Sequence, residues 1–550
     1  MDRVRKAVGP TELILVALLA VALVLRLWAI NHGLPYVFNP DEELHFVPRA
    51  VEMIGGSQNP GYFENPPALT YLFNAVFRLR FTDGFPFGDG DFVRAFRMDP
   101  EAAFITARVV VALIGTSVVA FAWWAGKRYF DKRVGLVAAA LIAFSFLPVF
   151  YSKQALNDVV TLAPVALALV ACLAVYERGG RRDWLIAGGV IGLATAVKYT
   201  AGGMLALLAL AALFRVRDES DSRRAAIEGL LFAGVVFAAA FLVLNPFSLL
   251  DFSEFKSQLG GQSAQGANAK LGQDDVPAPV YYLWTLTWGL GWLPAIAAAA
   301  GAVLALKEER RKGLLLIAFP LILFVVLSFQ GRYFGRWLMP AYPALVVLAG
   351  YAAVRLADAI PKPANAGRAF APVVLAVIAG ALVAQGLMSS IRVDRVLAKD
   401  DTREQARDWL LTNVPGGQKI VVEPFIPNKG YLPIGGEDPL GYVRWKPQRP
   451  FQAYEKRLSP ALIDRYRRAG FCWVVVGSTQ KQRGLKEGLP GAEAYYERLG
   501  RESKRTQVFS PFAGDEEPAE FNFDKSFNYQ PDSYSRPGPI VEIHELRDCG

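Results

Sequence analysis

Cysteine is scarce in this chain, with three in 550 residues. None sits in a CxxC pair or at a Cys/His spacing of the metal-site kind, so cysteine has no visible catalytic or metal-binding role. Cys172 lies inside an apolar run, while Cys472 and Cys549 leave room for at most one disulfide in the C-terminal tail. A GxxxxGK[ST] loop is also missing, and Gly188, Gly189 and Gly192 fall inside an apolar segment, where close helix packing explains them better than nucleotide binding. ATP hydrolysis therefore has no home here. No internal repeat or low-complexity tract appears. The net charge of +9 comes from short basic clusters between apolar runs, with no continuous basic domain, which argues against nucleic acid as a partner. No small-residue cleavage site follows the first apolar run, so it reads as an uncleaved first span.

Apolar material is what the chain has in excess: 53% of residues are hydrophobic and the mean hydropathy is +0.26. It is segregated into stretches of roughly 17 to 25 residues, each able to cross a hydrocarbon core of about 30 Å as a helix. The pattern predicts about eleven spans. They lie near residues 13–30, 105–125, 135–151, 159–175, 184–198, 203–214, 226–244, 281–306, 314–329, 337–354 and 370–387.

Alternate connections differ in charge. One set, from Arg3, Arg5 and Lys6 through the clusters at 127–133, 178–182, 215–224, 307–312 and 355–368, holds about 21 basic residues; the short loops of the other set hold about four. The basic set is expected to face the cytoplasm, with the N-terminus. The loop from 31 to 104, the loop from 245 to 280 and the tail then lie outside the cell membrane. The expected division is a transmembrane catalytic unit over 1–389 and an extracytoplasmic α/β domain over 390–550. Within the tail, Asp401 or Thr402 caps a helix at 403–411, and strands are expected at Lys419 to Val422 and Cys472 to Val476.

The polar residues of the outer connections are few and chemically selective. Asp41, Glu42 and His45 follow the first span, and an amphipathic stretch from Tyr71 to Phe81 in the same loop suits a helix lying in the membrane interface. Lys153 and Asp158 lie between spans three and four, Lys198 and Tyr199 between five and six, and Arg332 and Arg336 between nine and ten. Ionisable groups near hydrocarbon are costly, so their convergence at one membrane face favours a site. Lys198, Arg332 and Arg336, joined by Lys153, are cations suited to a lipid-phosphate leaving group. Asp41 is the best placed base for an acceptor hydroxyl, and His45 could orient it. A phosphate leaves as a stable anion, so one carboxylate plus positive charge suffices for an inverting displacement. The competing class is a transporter or flippase of lipid-linked sugars. That class usually shows inverted repeats and charges near the bilayer midplane, and neither is evident.

Several motifs together resemble the GT-C superfamily of integral membrane glycosyltransferases, and glycosyltransferase family 39 in particular, which includes protein O-mannosyltransferases and aminoarabinose transferases. The first is Asp41-Glu42 with His45-Phe46, the His-Phe pair lying one residue later than in the mannosyltransferases. The others are Pro66-Pro67-Ala68-Leu69, Tyr151-Ser152-Lys153 with Asp158, Gly192-Leu193-Ala194 with Lys198-Tyr199, and Arg336-Trp337-Leu338-Met339-Pro340 with Pro343. The resemblance covers roughly the first 350 residues. It implies a GT-C type α-helical polytopic membrane fold, with Asp41 as catalytic base and Glu42 and Asp158 as supporting or metal-binding carboxylates. Lys198 and Arg336 become carrier-phosphate ligands, with Tyr199 beside them. A polyprenyl-phosphate sugar is the implied donor, and a protein, lipid or glycan the acceptor. Relatives differ in metal use, which leaves room for a divalent ion, Mg or Mn, on Asp41, Glu42 and Asp158.

Overall fold

The computed structural model describes residues 9–82, 90–218, 220–365, 367–424, 426, 431–432, 443–445, 458–514 and 520–549. Arg3, Arg5 and Lys6 of the basic set lie outside them. Among the described residues, nine helical segments are long and apolar enough to cross a membrane, from Pro10–Leu27 to the helix that begins at Phe370. The chain is a polytopic helical membrane protein.

The two remaining predicted spans are present as shorter helices. The third breaks into Lys132–Phe144 and Phe146–Tyr151 because Ser145 takes an extended conformation ahead of Pro148. The fifth is Arg181–Val197, which stops where Lys198 turns extended, and a 3-10 turn at Tyr199–Gly203 restarts the chain as Met204–Arg217. That break presents Lys198 at the tip between two helices. Gly188 and Gly192 serve packing, as expected. A Cβ added to them would stand 2.2 Å from the Ala233 carbonyl oxygen and 2.6 Å from that of Phe237, on the facing helix Arg223–Leu244.

The spans share one apolar core that reaches from Ala22 to Leu397 and also takes in Tyr529 of the tail. In the loop after the first span, the stretch expected to lie in the membrane interface is a helix, Ala68–Phe81, whose Phe73 and Phe77 are fully buried. The last span, Phe370–Leu397, runs through the expected boundary at 389 before the tail begins.

The tail folds around a five-stranded mixed sheet of β1 (Lys419–Val422), β2 (Val443–Trp445), β3 (Phe471–Gly477), β4 (Ser503–Phe509) and β5 (Val541–Leu546), in the order β2-β1-β3-β5-β4. β1 is parallel to β2 and β3, whereas β5 is antiparallel to β3 and β4. Side chains alternate between faces along a strand, so Val421, Val474 and Val476 join one core and Ile420, Val422 and Val475 the other. The helix Thr402–Asn413 covers the second face and is capped by Asp401, whose carboxylate accepts from the Arg403 amide. Cys472 and Cys549 form a disulfide.

Candidate functional site

The site starts from a five-residue helix, Pro40–Leu44, just past the first span. Asn39 caps it by accepting from the amides of Asp41 at 3.0 Å and Glu42 at 3.4 Å, and its own amide group donates to Gln154 at 2.8 Å. Pro40 supplies the fixed φ of a first helical position, and acidic residues in the first turn complement the helix dipole.

Neighbouring carboxylates on so short a helix point different ways. Glu42 is buried, receives Arg108 in two hydrogen bonds of 2.7 and 2.8 Å, and also accepts from the Ala155 amide at 2.8 Å. It is fully committed there, so the expectation that Glu42 acts on substrate or metal gives way to a structural role tying the first loop to the second span. Glu42→Ala would leave the Arg108 charge buried and unpaired, so a stability loss of about 3–5 kcal/mol is expected. Thermal unfolding of the purified protein measures it.

Asp41 turns the other way, into a cavity with an empty volume of about 780 Å³, open space included. Its carboxylate accepts from Arg336 at 2.5 Å and lies 3.6 Å from His45 Nε2. The His45 ring is stacked on Tyr62, with centroids 4.7 Å apart. Asp158 pairs with Lys198 and stands 3.7 Å from Arg336 Nε. Arg332 lines the same cavity. Asp41, Asp158, His45, Lys198, Arg332 and Arg336, contributed by four separate connections, thus surround one space.

Two sequence candidates fall outside it. Lys153 is buried against Asp394 at 3.1 Å and donates to the carbonyls of Leu25 and Trp28, which commits it to holding the first and last spans together. Tyr199 donates to the Phe63 carbonyl at 3.0 Å and braces the loop after the first span.

The cavity also holds Lys270, from the loop between the seventh and eighth spans, which sequence reading did not single out. Its only local signal is a cation in a loop between two spans. Behind the cavity wall stands the tail. Phe523 packs on Phe334, Asp524 accepts from Tyr281 at 2.5 Å, and the hydroxyls of Tyr529 and Tyr151 are 2.8 Å apart. No pattern local to residues 521–529 announces that contact.

Electrostatically the site is a balance of opposite charges, most of them partly or wholly withdrawn from solvent. Burial alone would raise the Asp41 carboxyl, but Arg336, His45 and Lys270 together hold it well below the usual carboxylate range. Burial pushes Lys270 down to about 8 against the pull of Asp41, helped by Arg483, Arg336 and Arg332. Burial likewise raises Asp524 to about 7, against Tyr281 and Arg336.

The expected carboxylate set for a divalent ion is not assembled. Glu42 is consumed by Arg108, and Asp41 and Asp158 are each neutralised by a cation. Among the described residues, no group of three or more His, Cys, Asp or Glu side chains could hold a metal ion.

Against known proteins, nearly the whole chain aligns in structure with ArnT from Cupriavidus metallidurans bound to undecaprenyl phosphate. The TM-score is 0.53 at 14% identity, covering 98% of this chain and 99% of that one. The chain has the GT-C fold. The archaeal oligosaccharyltransferase AglB from Archaeoglobus fulgidus, in complex with an inhibitory peptide and a dolichol-phosphate, shares that GT-C architecture. It aligns with a TM-score of 0.52 at 14% identity over 90% of this chain and 73% of that one. The same archaeal enzyme in complex with Zn and sulfate gives a TM-score of 0.51 at 14% identity, over 90% and 72%. In sequence, residues 101–244 match the family model described as dolichyl-phosphate-mannose-protein mannosyltransferase. That stretch carries Asp158 and Lys198 of the cavity but not Asp41 or Arg336. No curated protein sequence matches the chain.

Proposed function

We propose that this protein is a membrane glycosyltransferase that moves a sugar from a polyprenyl-phosphate carrier to an acceptor hydroxyl at the outer face of the membrane, with inversion and with Asp41 as base. The observation that carries the reading is a single cavity that brings one outward-turned carboxylate, Asp41, against Arg336 and within reach of Lys198, Arg332 and Lys270.

The chemistry follows from that pairing. Lys198, Arg332, Arg336 and Lys270 receive the carrier phosphate, which leaves with the electrons of the C1–O bond. The acceptor oxygen attacks C1 from the opposite side of the ring, through an oxocarbenium-like state, and its proton passes to Asp41. In the free protein Arg336 holds Asp41 too weakly basic for that task. An incoming phosphate draws Arg336 onto itself and restores the basicity of Asp41, so donor binding switches on the base. The step needs no metal, and the cation-neutralised carboxylates do not fit one.

The orientation rests on the alternation of basic connections. The Cys472–Cys549 disulfide, at home in an oxidising compartment, supports an outer location for the tail. The likenesses to ArnT and AglB, whose structures hold undecaprenyl phosphate and a dolichol-phosphate, support a lipid-phosphate donor.

The test is incubation of the purified full chain with polyprenyl-phosphate sugars and envelope acceptors, read by mass spectrometry. Covalent transfer is expected. Movement of lipid-linked sugar across sealed vesicles without any covalent product would overturn the proposal in favour of a flippase. Lys270 adds a pH signature. It is a cation below about 8 and neutral above, so kcat/KM for the donor should fall as pH rises through about 8. Lys270→Arg, charged throughout, should remove that alkaline limb.

A further inference from the structure

The tail-proximal end of the last span carries charge that the cavity does not use. Along Phe370–Leu397 and just beyond it, Met388, Arg392, Arg395 and Lys399 recur every three or four residues and so share one helix face. The face is apolar at one end, where Val373, Val377 and Met388 are 57%, 67% and 64% exposed, and cationic at the other. A groove lies along the cationic end, walled by Ile391 and Val396 on the helix and by Ser535 from the tail, with an empty volume of about 760 Å³, open space included.

The three cations are not equivalent. Arg392 donates to the carbonyls of Gln530 and Pro531, both at 2.9 Å, and pairs with Asp532 at 3.2 Å, which clamps the tail loop into place as the groove wall. Arg395 and Lys399 are exposed, and among the described residues neither takes part in an ion pair. Cations that only snorkel to the interface need no groove beside them. Here the tail builds one, and it joins the lipid-facing apolar stripe to two uncommitted charges.

We propose that this groove binds an anionic phospholipid of the surrounding membrane, with its phosphate on Arg395 and Lys399 and its acyl chain along Met388 and Val377. Charge complementarity selects the head, and the continuous apolar face selects an amphiphile over a soluble phosphate. The site is separate from the Asp41 cavity and does not depend on the catalytic reading. Because Arg392 ties the same face to loop 530–532, a bound lipid also braces the tail, whose residues 523–529 back the cavity wall.

Native mass spectrometry of the detergent-solubilised full chain tests this, using phosphatidylglycerol, phosphatidylcholine and glycerol 3-phosphate as probes. Retention of phosphatidylglycerol well above phosphatidylcholine is expected. Arg395→Gln with Lys399→Gln should lower it roughly 30-fold, two basic contacts at about fivefold each, while Arg395→Lys should preserve it. If the double variant does not fold, Lys399→Gln alone reads the effect. Unchanged retention in the variant overturns the proposal. So does equal retention of phosphatidylcholine, or displacement of the lipid by equimolar glycerol 3-phosphate, which would mark a plain phosphate site.

Discussion

Asp41→Asn is expected to lower kcat by about 10²- to 10⁴-fold, the range over which a positioned general base contributes, while leaving donor affinity intact or improved. The direction of the second effect distinguishes a base from a binding group. Asp41 accepts from Arg336 at 2.5 Å, so on the proposed mechanism its neutral replacement would free the guanidinium for the donor. A residue that merely held the donor would show the opposite, a weakened complex. Asp41 is 39% exposed, so a neutral replacement of the same shape should leave the fold intact, which a thermal unfolding curve checks. Steady-state transfer together with a direct donor-binding measurement decides the matter. Full turnover in the variant would remove Asp41 as the base. Because its cationic neighbours hold Asp41 well below the ordinary range, the native enzyme should also show no acid limb in kcat/KM near the usual carboxylate value of about 4.

Arg336→Gln should have the other large effect, a loss of about 10²- to 10³-fold in kcat/KM, as for removal of one preorganised charge-stabilising donor. The guanidinium reaches two of the three acids that line the cavity, Asp41 at 2.5 Å and Asp158 at 3.7 Å, through different nitrogens. A lysine cannot reproduce that fork, so Arg336→Lys should recover little. A second signature separates this role from simple phosphate binding. Once Arg336 is gone, its pull on Asp41 is lost and the carboxyl rises toward or above its ordinary value. A new acid limb should then appear in the pH profile, with activity falling as pH drops through it. An unchanged acid side in Arg336→Gln would mean that the pair seen in the free protein plays no part in turnover.

Much of this architecture was legible in local sequence. A membrane span announces itself because some 20 apolar residues are a property of one segment alone. The strand Lys419–Val422 and the helix capped by Asp401 were readable for the same reason, since alternation and capping act within a few residues. The polar tips at Asp158, Lys198 and Arg336 could be named because ionisable groups beside hydrocarbon stand out. Their meeting in one cavity was an expectation from shared depth.

Other features were beyond local reading. Asp41 and Glu42 are adjacent and chemically alike, yet one faces a cavity and the other is locked to Arg108, 66 residues away. Lys153 looks like a phosphate ligand until Asp394, from the last span, takes its charge. Lys270 is marked locally only as a cation in a loop between spans, and the tail residues Phe523, Asp524 and Tyr529 carry no local mark of the cavity wall they pack behind. By itself the sequence determined the apolar spans, the caps and strands, and the small set of charged side chains available for chemistry, because each depends on neighbours along the chain. Which charge pairs with which was decided only by the tertiary structure, since an ion pair in a low-dielectric interior is set by whatever distant helix delivers its partner.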